Sequence, residues 1–291
     1  MATRSKILVT GANGQLGKEL KQLCGTYPQF DFVFFSREDL PIHNFDLLRN
    51  TFKIYQPQYC INCAAYTNVD KAEMEKDLAQ IVNGEAVGVL AAVCTEYETK
   101  FIQISTDYVF DGTESIPYKE ESPTSPVNVY GASKLTGEEQ SFQFNSDSIV
   151  LRTSWLYSAF GKNFVKTMVK LLHEKEEITV VNDQIGSPTY AADLAEVILK
   201  IILQGQWQPG IYHYSNAGII SWYDFAIAIK ELTGATCKIN PVSTSQYPTP
   251  AKRPAYSVLD KTKIQQTFGI KLKDWKESLA VCIQQIEKHN F

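Results

Sequence analysis

Short apolar runs along this chain alternate with longer stretches in which apolar residues recur every three or four positions. Lys6–Thr10, Phe32–Phe35, Tyr59–Ala64, Lys100–Ser105 and Ser148–Arg152 have the length and near-continuous hydrophobicity of strands buried on both faces of a parallel sheet. Between them, Leu47–Ile54, Leu78–Glu96 and Tyr130–Ser141 carry helical spacing. Such alternation predicts right-handed βαβ crossovers, hence an α/β fold with a doubly wound parallel sheet of Rossmann type. Beyond Trp155 the rhythm loosens. Asn163–Glu174 reads as helix, Ile178–Val181 as a short strand and Thr189–Leu203 as a longer helix. Pro and Gly gather at Gln204–Gly210 and Pro241–Pro254, which marks loops. The expected division is a dinucleotide-binding domain over 1–154, rejoined by the helix at 189–203, and a smaller α/β substrate-binding lobe over 155–291.

Three patterns carry chemistry. The first strand runs into Gly11-Ala-Asn-Gly14-Gln-Leu-Gly17 and then into a helix beginning near Lys18. Glycines there allow a tight turn and close backbone approach to a pyrophosphate, while the helix N-terminus offers unpaired N–H groups. The spacing is Gly-x-x-Gly-x-x-Gly rather than Gly-x-Gly-x-x-Gly, so the strand–loop–helix context carries the argument. Next, Tyr130 and Lys134 stand four apart, on one face of a helix. A free phenol has a pKa of roughly 10, and the neighbouring ammonium is expected to favour the phenolate and draw the phenol toward a useful range. Finally, the strand before them ends in Ser105-Thr106-Asp107, and strand C-termini face the ligand crevice of such sheets. Either Ser105 or Thr106 is placed to meet a substrate carbonyl together with Tyr130.

Composition narrows the partners. At 291 residues, 44% hydrophobic and 21% charged, the chain is of ordinary globular make-up, and a net charge of −4 gives no reason to expect nucleic acid or an anionic membrane. Met1-Ala-Thr-Arg-Ser-Lys6 lacks a signal-peptide core and no segment is expected to span a membrane, so a cytoplasmic location follows. Six cysteines, at 24, 60, 63, 94, 237 and 282, show no metal-ligand spacing. Cys60 and Cys63 lie in a predicted strand and point to opposite faces. All six are expected to be buried, reduced thiols.

These patterns sit within longer strings: Thr10-Gly-Ala-Asn-Gly-Gln-Leu-Gly17, Asn62-Cys-Ala-Ala-Tyr-Thr-Asn-Val-Asp-Lys-Ala-Glu73, Ser105-Thr-Asp-Tyr-Val-Phe110 and Pro126-Val-Asn-Val-Tyr-Gly-Ala-Ser-Lys134. They continue through Leu151-Arg-Thr-Ser-Trp-Leu-Tyr157, Asp183-Gln-Ile-Gly-Ser-Pro-Thr189 and Arg253-Pro-Ala-Tyr-Ser-Val-Leu-Asp260. Over nearly its whole length the chain resembles the extended short-chain dehydrogenase/reductase family, and within it the branch that completes dTDP-L-rhamnose for cell-wall polysaccharide. The resemblance implies NAD(P)H-dependent reduction of the C4 ketone of dTDP-4-dehydro-β-L-rhamnose. Tyr130 would protonate the alkoxide, Lys134 would steady the tyrosinate and bind the nicotinamide ribose, and Thr106 would hold the ketone oxygen. Cofactor contacts would come from Gly11, Asn13, Gly14, Gln15, Leu16, Gly17, Cys63, Ala64, Ala65 and Tyr66, with Tyr130 and Lys134. Asn83 would be a structural hydrogen-bonding residue.

The second strand ends Ser36-Arg37, with no acid until Glu38. An acid at that point would accept the 2′-hydroxyl of NAD, whereas Arg37 and Ser36 suit a 2′-phosphate, so NADPH is expected over NADH. Where the family has Asp-Ile this chain has Pro41-Ile42, leaving only backbone contacts from Ile42 to the adenine. Substrate contacts implied by the resemblance are Thr67, Val69, Thr106, Asp107, Trp155 and Arg253. The Trp155 indole would cover the apolar face of the deoxysugar, and Arg253 would meet the pyrophosphate. Relatives that bind magnesium at a dimer interface do so through glutamates. Glu19 matches one of those positions, but Tyr190-Ala-Ala-Asp193 departs from the pattern, so no metal is expected, although a homodimer is admitted. Two other readings stay open: an epimerase or dehydratase on the same fold, and a non-catalytic regulatory subunit like the β subunit of methionine adenosyltransferase.

Overall fold

The computed structural model describes residues 4–289; residues 1–3, where the reading of the N-terminus begins, and 290–291 lie outside the described residues. Five strands, β1 (Ser5–Thr10), β2 (Phe30–Phe34), β3 (Tyr59–Asn62), β4 (Lys100–Thr106) and β5 (Ile149–Thr153), form a parallel sheet with a sixth, Gly210–Tyr214. The order is Gly210–Tyr214, β5, β4, β3, β1, β2. The chain therefore reverses direction across the sheet at β1, whose Ile7 pairs with Phe32 on one side and Tyr59 on the other. That reversal opens a crevice at the C-terminal ends of β1 and β3, where α/β sheets bind ligands. The sixth strand lies beyond the range read for the dinucleotide-binding domain and was assigned no strand from the pattern. It pairs with β5 from Ile149↔Gly210 to Thr153↔Tyr214.

Alternation along the strands builds two cores. Ile7 and Val9 join Ile61, Ile102 and Leu151 under α1 (Gln15–Leu23) and the helix Ala191–Leu203. Leu8, Cys60 and Phe101 face the other way, against α2 (Phe45–Tyr55) and the helical stretch preceding β4. Between α2 and that stretch, α3 is the single turn Val69–Ala72. The expected helix over Leu78–Glu96 is divided into α4 (Lys76–Gln80), a π-helical turn at Ile81–Glu85 and α5 (Ala86–Glu96). Contrary to the sequence expectation, the 21 residues Lys76–Glu96 are long and apolar enough to cross a membrane by length and composition. Here Ala86, Val87, Leu90, Val93 and Cys94 are fully or almost fully buried in the second core.

The helix α6 (Val129–Phe144) carries Tyr130 in its first turn, and Asn128 caps it by accepting from Gly131 N at 2.8 Å. A third core, away from the six-stranded sheet, is built from Val165, Met168 and Leu172, from Phe225 and Ile229, and from Leu279, Ile283 and Ile286. Three two-stranded pairings stitch it together: Glu177–Val181 with Lys238–Val242, Ile185–Gly186 with Ile220–Ser221, and Leu156–Tyr157 with Thr189–Tyr190. All six cysteines are free. Cys60 and Cys63 pack into different cores, but Cys24 and Cys63 are only half-buried, because each lies just past the end of its element.

Candidate active site

The glycine loop is shaped by what crowds it. Gly11 has φ +63°, and a Cβ there would fall 2.6 Å from Ala64 N and Cys63 C. Only glycine lets the loop after β1 and the segment after β3 meet at the crevice. Gly14 is the N-cap of α1 and supplies no side-chain acceptor, so the first N–H groups of that helix stay available to an anion. Asn13 is exposed, whereas Leu16 is 4% exposed and belongs to the core, which leaves it only its backbone for a ligand. Gln15 is engaged across the molecule, accepting from Asn163 Nδ2 at 2.8 Å. Past β2, the Ser36 oxygen accepts from the backbone N–H groups of Glu38 (3.2 Å) and Asp39 (3.3 Å), while Arg37 is exposed beside it. Ile42 is buried in the core.

The segment after β3 is held by Asn83 from the π-helical turn. Its Oδ1 accepts from Tyr66 N at 2.8 Å, and its Nδ2 donates to Tyr66 O at 3.0 Å and to Ser133 Oγ at 3.0 Å. One amide thus ties the Cys63–Tyr66 segment to α6 between Tyr130 and Lys134. π-turns frequently serve such positions. Tyr66 also donates its hydroxyl to Glu75 at 2.6 Å.

Thr106 ends β4 and lies close enough to the Tyr130 phenol to favour its ionised form. Its hydroxyl donates to Asp107 Oδ1 at 3.0 Å and accepts from Tyr108 N at 3.2 Å. Ser105, the alternative hydroxyl, turns away and donates to Glu138. The expected lowering of the Tyr130 pKa is not found. Burial pushes the phenol up to about 12, outweighing Thr106, and Lys134 is not among the groups that shift it. Lys134 instead donates to the Ile104 carbonyl at 2.6 Å, and burial draws its ammonium down to about 8 against the pull of Glu138 and Cys63. Asp107 is 2% exposed, its Oδ2 has no hydrogen-bond partner, and burial raises its carboxyl to about 7.

On the substrate side, Trp155 follows β5 by two residues with a left-handed φ of 47°. Thr67 is exposed and Val69 half-buried at the start of α3. Arg253 places its fork on Asp70, with Nη1–Oδ1 at 3.0 Å and Nη2–Oδ2 at 2.8 Å. The same loop is tied to the cap of α6, as Asn128 Nδ2 donates to Lys252 O at 2.8 Å. Arg253, Lys252 and Tyr247 line a cavity of about 560 Å³ beside the crevice.

The sequence matches the family described as RmlD substrate binding domain over residues 5–288, through sheet and lobe alike. The chain belongs to that family. Its relatives include the dTDP-4-dehydrorhamnose reductase of Burkholderia thailandensis, 42% identical over 97% of this chain and 99% of that protein. The spore coat polysaccharide biosynthesis protein SpsK of Bacillus subtilis is 43% identical over 97% and 98%. Among solved structures, the dTDP-4-dehydrorhamnose reductase of Bacillus anthracis in complex with NADP has a TM-score of 0.93 at 38% identity, covering 97% of this chain and 100% of that one.

Within this member of the RmlD family, Glu19, Asp193 and Glu196 do gather around a second cavity of about 410 Å³. Lys273 donates to Asp193 at 2.7 Å and Glu196 at 2.9 Å, and Ser158 donates to Glu19 at 2.6 Å. An ammonium already answers two of these carboxylates, so the donor set does not fit a dication. Among the described residues no group of three or more His, Cys, Asp or Glu is arranged to hold a metal. Sequence reasoning missed Asp70, the partner of Arg253, and Trp222, whose ring stacks on Trp155 at 3.6 Å. The Ser221-x-x-Asp224 capping box was a readable signal placing Trp222 at a helix start.

Proposed function

We propose that this protein reduces the C4 ketone of dTDP-4-dehydro-β-L-rhamnose with NADPH, giving dTDP-L-rhamnose. The observation that carries the reading is the convergence of Thr106, Tyr130 and Lys134 at the C-terminal edge of the sheet, on the crevice bounded by the glycine loop, in a chain whose full-length relatives include reductases of that name. The sheet unit carries the cofactor and the lobe carries most of the sugar nucleotide. When bound, NADPH supplies the hydride that reaches C4.

The chain's own residues do the rest. The uncapped start of α1 and the Gly11 turn receive the pyrophosphate, and the exposed Arg37 guanidinium meets the 2′-phosphate. A phenol raised to about 12 keeps its proton at neutral pH, which is what a reduction asks of it: Tyr130 gives that proton to the alkoxide. Thr106 holds the ketone oxygen as charge grows there. Lys134, buried, donating to the Ile104 carbonyl and cationic below about pH 8, binds the nicotinamide ribose. Asp107 and Trp155 bound the sugar, and Arg253, aligned by Asp70, meets the substrate pyrophosphate. Six free thiols suit a reducing compartment, and we place the reaction in the cytoplasm. The test is stoichiometric NADPH oxidation with the 4-keto sugar nucleotide and identification of the product. NADPH binding without its consumption in the presence of that sugar would sink the reading.

A further inference from the structure

Trp155 is a large aromatic residue with φ 47°, a conformation that persists only where the surroundings enforce it. The backbone on either side is fastened to one partner segment. Thr153 Oγ1 bonds Thr189 Oγ1 at 3.0 Å, Ser154 Oγ donates to Ser187 O at 2.6 Å, and Thr189 N donates to Trp155 O at 3.3 Å. The ring is held as firmly. The Trp222 indole lies parallel to it, 3.6 Å between centroids and 11° between planes, and Phe164 packs on Trp222 at 4.6 Å. A Cβ at Gly186 would sit 2.6–2.8 Å from three atoms of the Trp155 ring. With Trp222 that close on one face, Gly186 must lie on the other, and its missing side chain is what makes room for the indole.

Chain pairing sets this slot. Ile220 pairs with Gly186 and Ser221 with Ile185, so the two walls are neighbours across one small antiparallel ladder. Ser221 then caps the following helix, accepting from Asp224 N at 3.0 Å while Asp224 accepts from Ser221 N at 2.9 Å, which fixes Trp222 as the first helical residue. The slot stands beside the reacting end of the site, because Thr153, two residues before Trp155, pairs with Thr106. Trp155 remains half-buried, and among the described residues its indole N–H has no acceptor.

We propose that Trp222 is a positioning residue for the sugar substrate: it pins the Trp155 indole against Gly186, so that Trp155 meets the sugar with its edge and N–H and not with its face. This rests on the reading of the crevice as the 4-keto sugar site. It replaces apolar coverage of the deoxysugar by a directed donor, which selects for an oxygen on the sugar ring. It also gives Gly186, inside the Asp183–Thr189 string, a definite task.

The experiment compares wild type with Trp222→Phe, Trp222→Leu and Gly186→Ala. It measures KM and kcat for the 4-keto sugar nucleotide, Kd for NADPH and for dTDP-L-rhamnose, and the far-ultraviolet exciton couplet of two stacked indoles. Trp222→Leu is expected to abolish the couplet and raise sugar-nucleotide KM and Kd about three- to tenfold, the range of a lost aromatic pair. Its kcat and NADPH Kd should stay near wild type. Trp222→Phe keeps a ring on Trp155 and should restore most of the affinity, and Gly186→Ala should weaken it as Trp222→Leu does. In Trp222→Leu, loss of the couplet with unchanged sugar-nucleotide affinity overturns the proposal, as does an equal loss of NADPH affinity. If wild type binds dTDP-L-rhamnose but reduces no ketone, the functional reading fails while the affinity series still decides the role of Trp222.

Discussion

Ser105 and Thr106 are consecutive residues of β4, yet their side chains enter opposite electrostatic surroundings. Ser105 donates to Glu138, whose carboxylate also takes the Arg152 fork at 2.7 and 2.9 Å. Arg152 reaches Glu120 O at 3.3 Å and lies 5.1 Å over the Phe110 ring. The neighbouring His213 is pushed down to about 3 by burial and by Arg152, so it stays neutral. Thr106 instead meets Asp107, whose second oxygen is unpartnered, and Tyr130 and Lys134, both displaced toward their neutral forms. Both regions are buried and polar. The first answers its charges internally and holds β4, β5 and α6 together, while the second keeps unmet capacity on the crevice side. Unmet buried capacity is where a ligand is expected to supply the missing partner.

The sharpest way to separate the two regions is to alter one polar atom in each. Tyr130→Phe should lower kcat by about 10²–10⁴, the usual contribution of an acid–base group, and leave the urea midpoint close to wild type. Glu138→Gln should do the reverse in kind. It leaves the Arg152 guanidinium buried against a neutral amide, and truncating such a pair destabilises by about 3–5 kcal/mol, read from urea unfolding. Were Tyr130→Phe to unfold as readily as Glu138→Gln, the division between a structural and a chemical region would be lost.

Asp107 gives a finer measurement. Its folded-state pKa of about 7 lies above the unfolded value of 3.8, so between those values the folded state holds a proton that the unfolded state has released. Wild-type stability should therefore fall as pH rises from 4 to 7 and level off above that, from this residue alone. Asp107→Asn removes the dependence. The variant should gain on wild type by roughly 4 kcal/mol at most between pH 4 and pH 8. It should also lose affinity for the sugar nucleotide, as expected where function is held by a group that weakens the fold. A stability difference that stays flat across that range would remove Asp107 from the account.

The same contrast governs how much was legible in the sequence. Ile7–Val9 with its glycine loop and the Tyr130–Lys134 spacing are local patterns, and strand, loop and helix follow in that order, although α1 starts at Gln15 and takes Gly17 into its first turn, ahead of the start expected near Lys18. The strand Gly210–Tyr214 is not local. Five residues between loops become part of the sheet only because β5 offers an open edge. The break at Ile81–Glu85 likewise depends on Asn83 finding Tyr66 and Ser133, 17 and 50 residues away. The Tyr130 pKa was misjudged for a related reason. The i,i+4 neighbour is visible in sequence, but the burial that raises the phenol, and the Ile104 carbonyl that engages Lys134, belong to the packed molecule.

The smallest effect tests the exposed rim of the crevice, where neither the internal satisfaction of Arg152 nor the burial of Asp107 applies. Arg37 has no ion-pair partner among the described residues, although Glu38 and Asp39 adjoin it. Those two acids are occupied, since Asp39 accepts from Ser36 N at 3.0 Å and both carboxyls are held below their ordinary range, first of all by the Ser36 hydroxyl. The turn thus keeps its acids folded back on Ser36 and leaves the guanidinium open to a phosphate. Arg37→Ala should raise KM for NADPH about 10- to 100-fold, as for one hydrogen-bonded charge worth about 1.5–3 kcal/mol, and leave KM for NADH nearly unchanged. Because the guanidinium is solvent-exposed, the NADPH effect should shrink as salt is raised. Equal weakening of both cofactors would instead mean that Arg37 shapes the turn and does not read the 2′-phosphate.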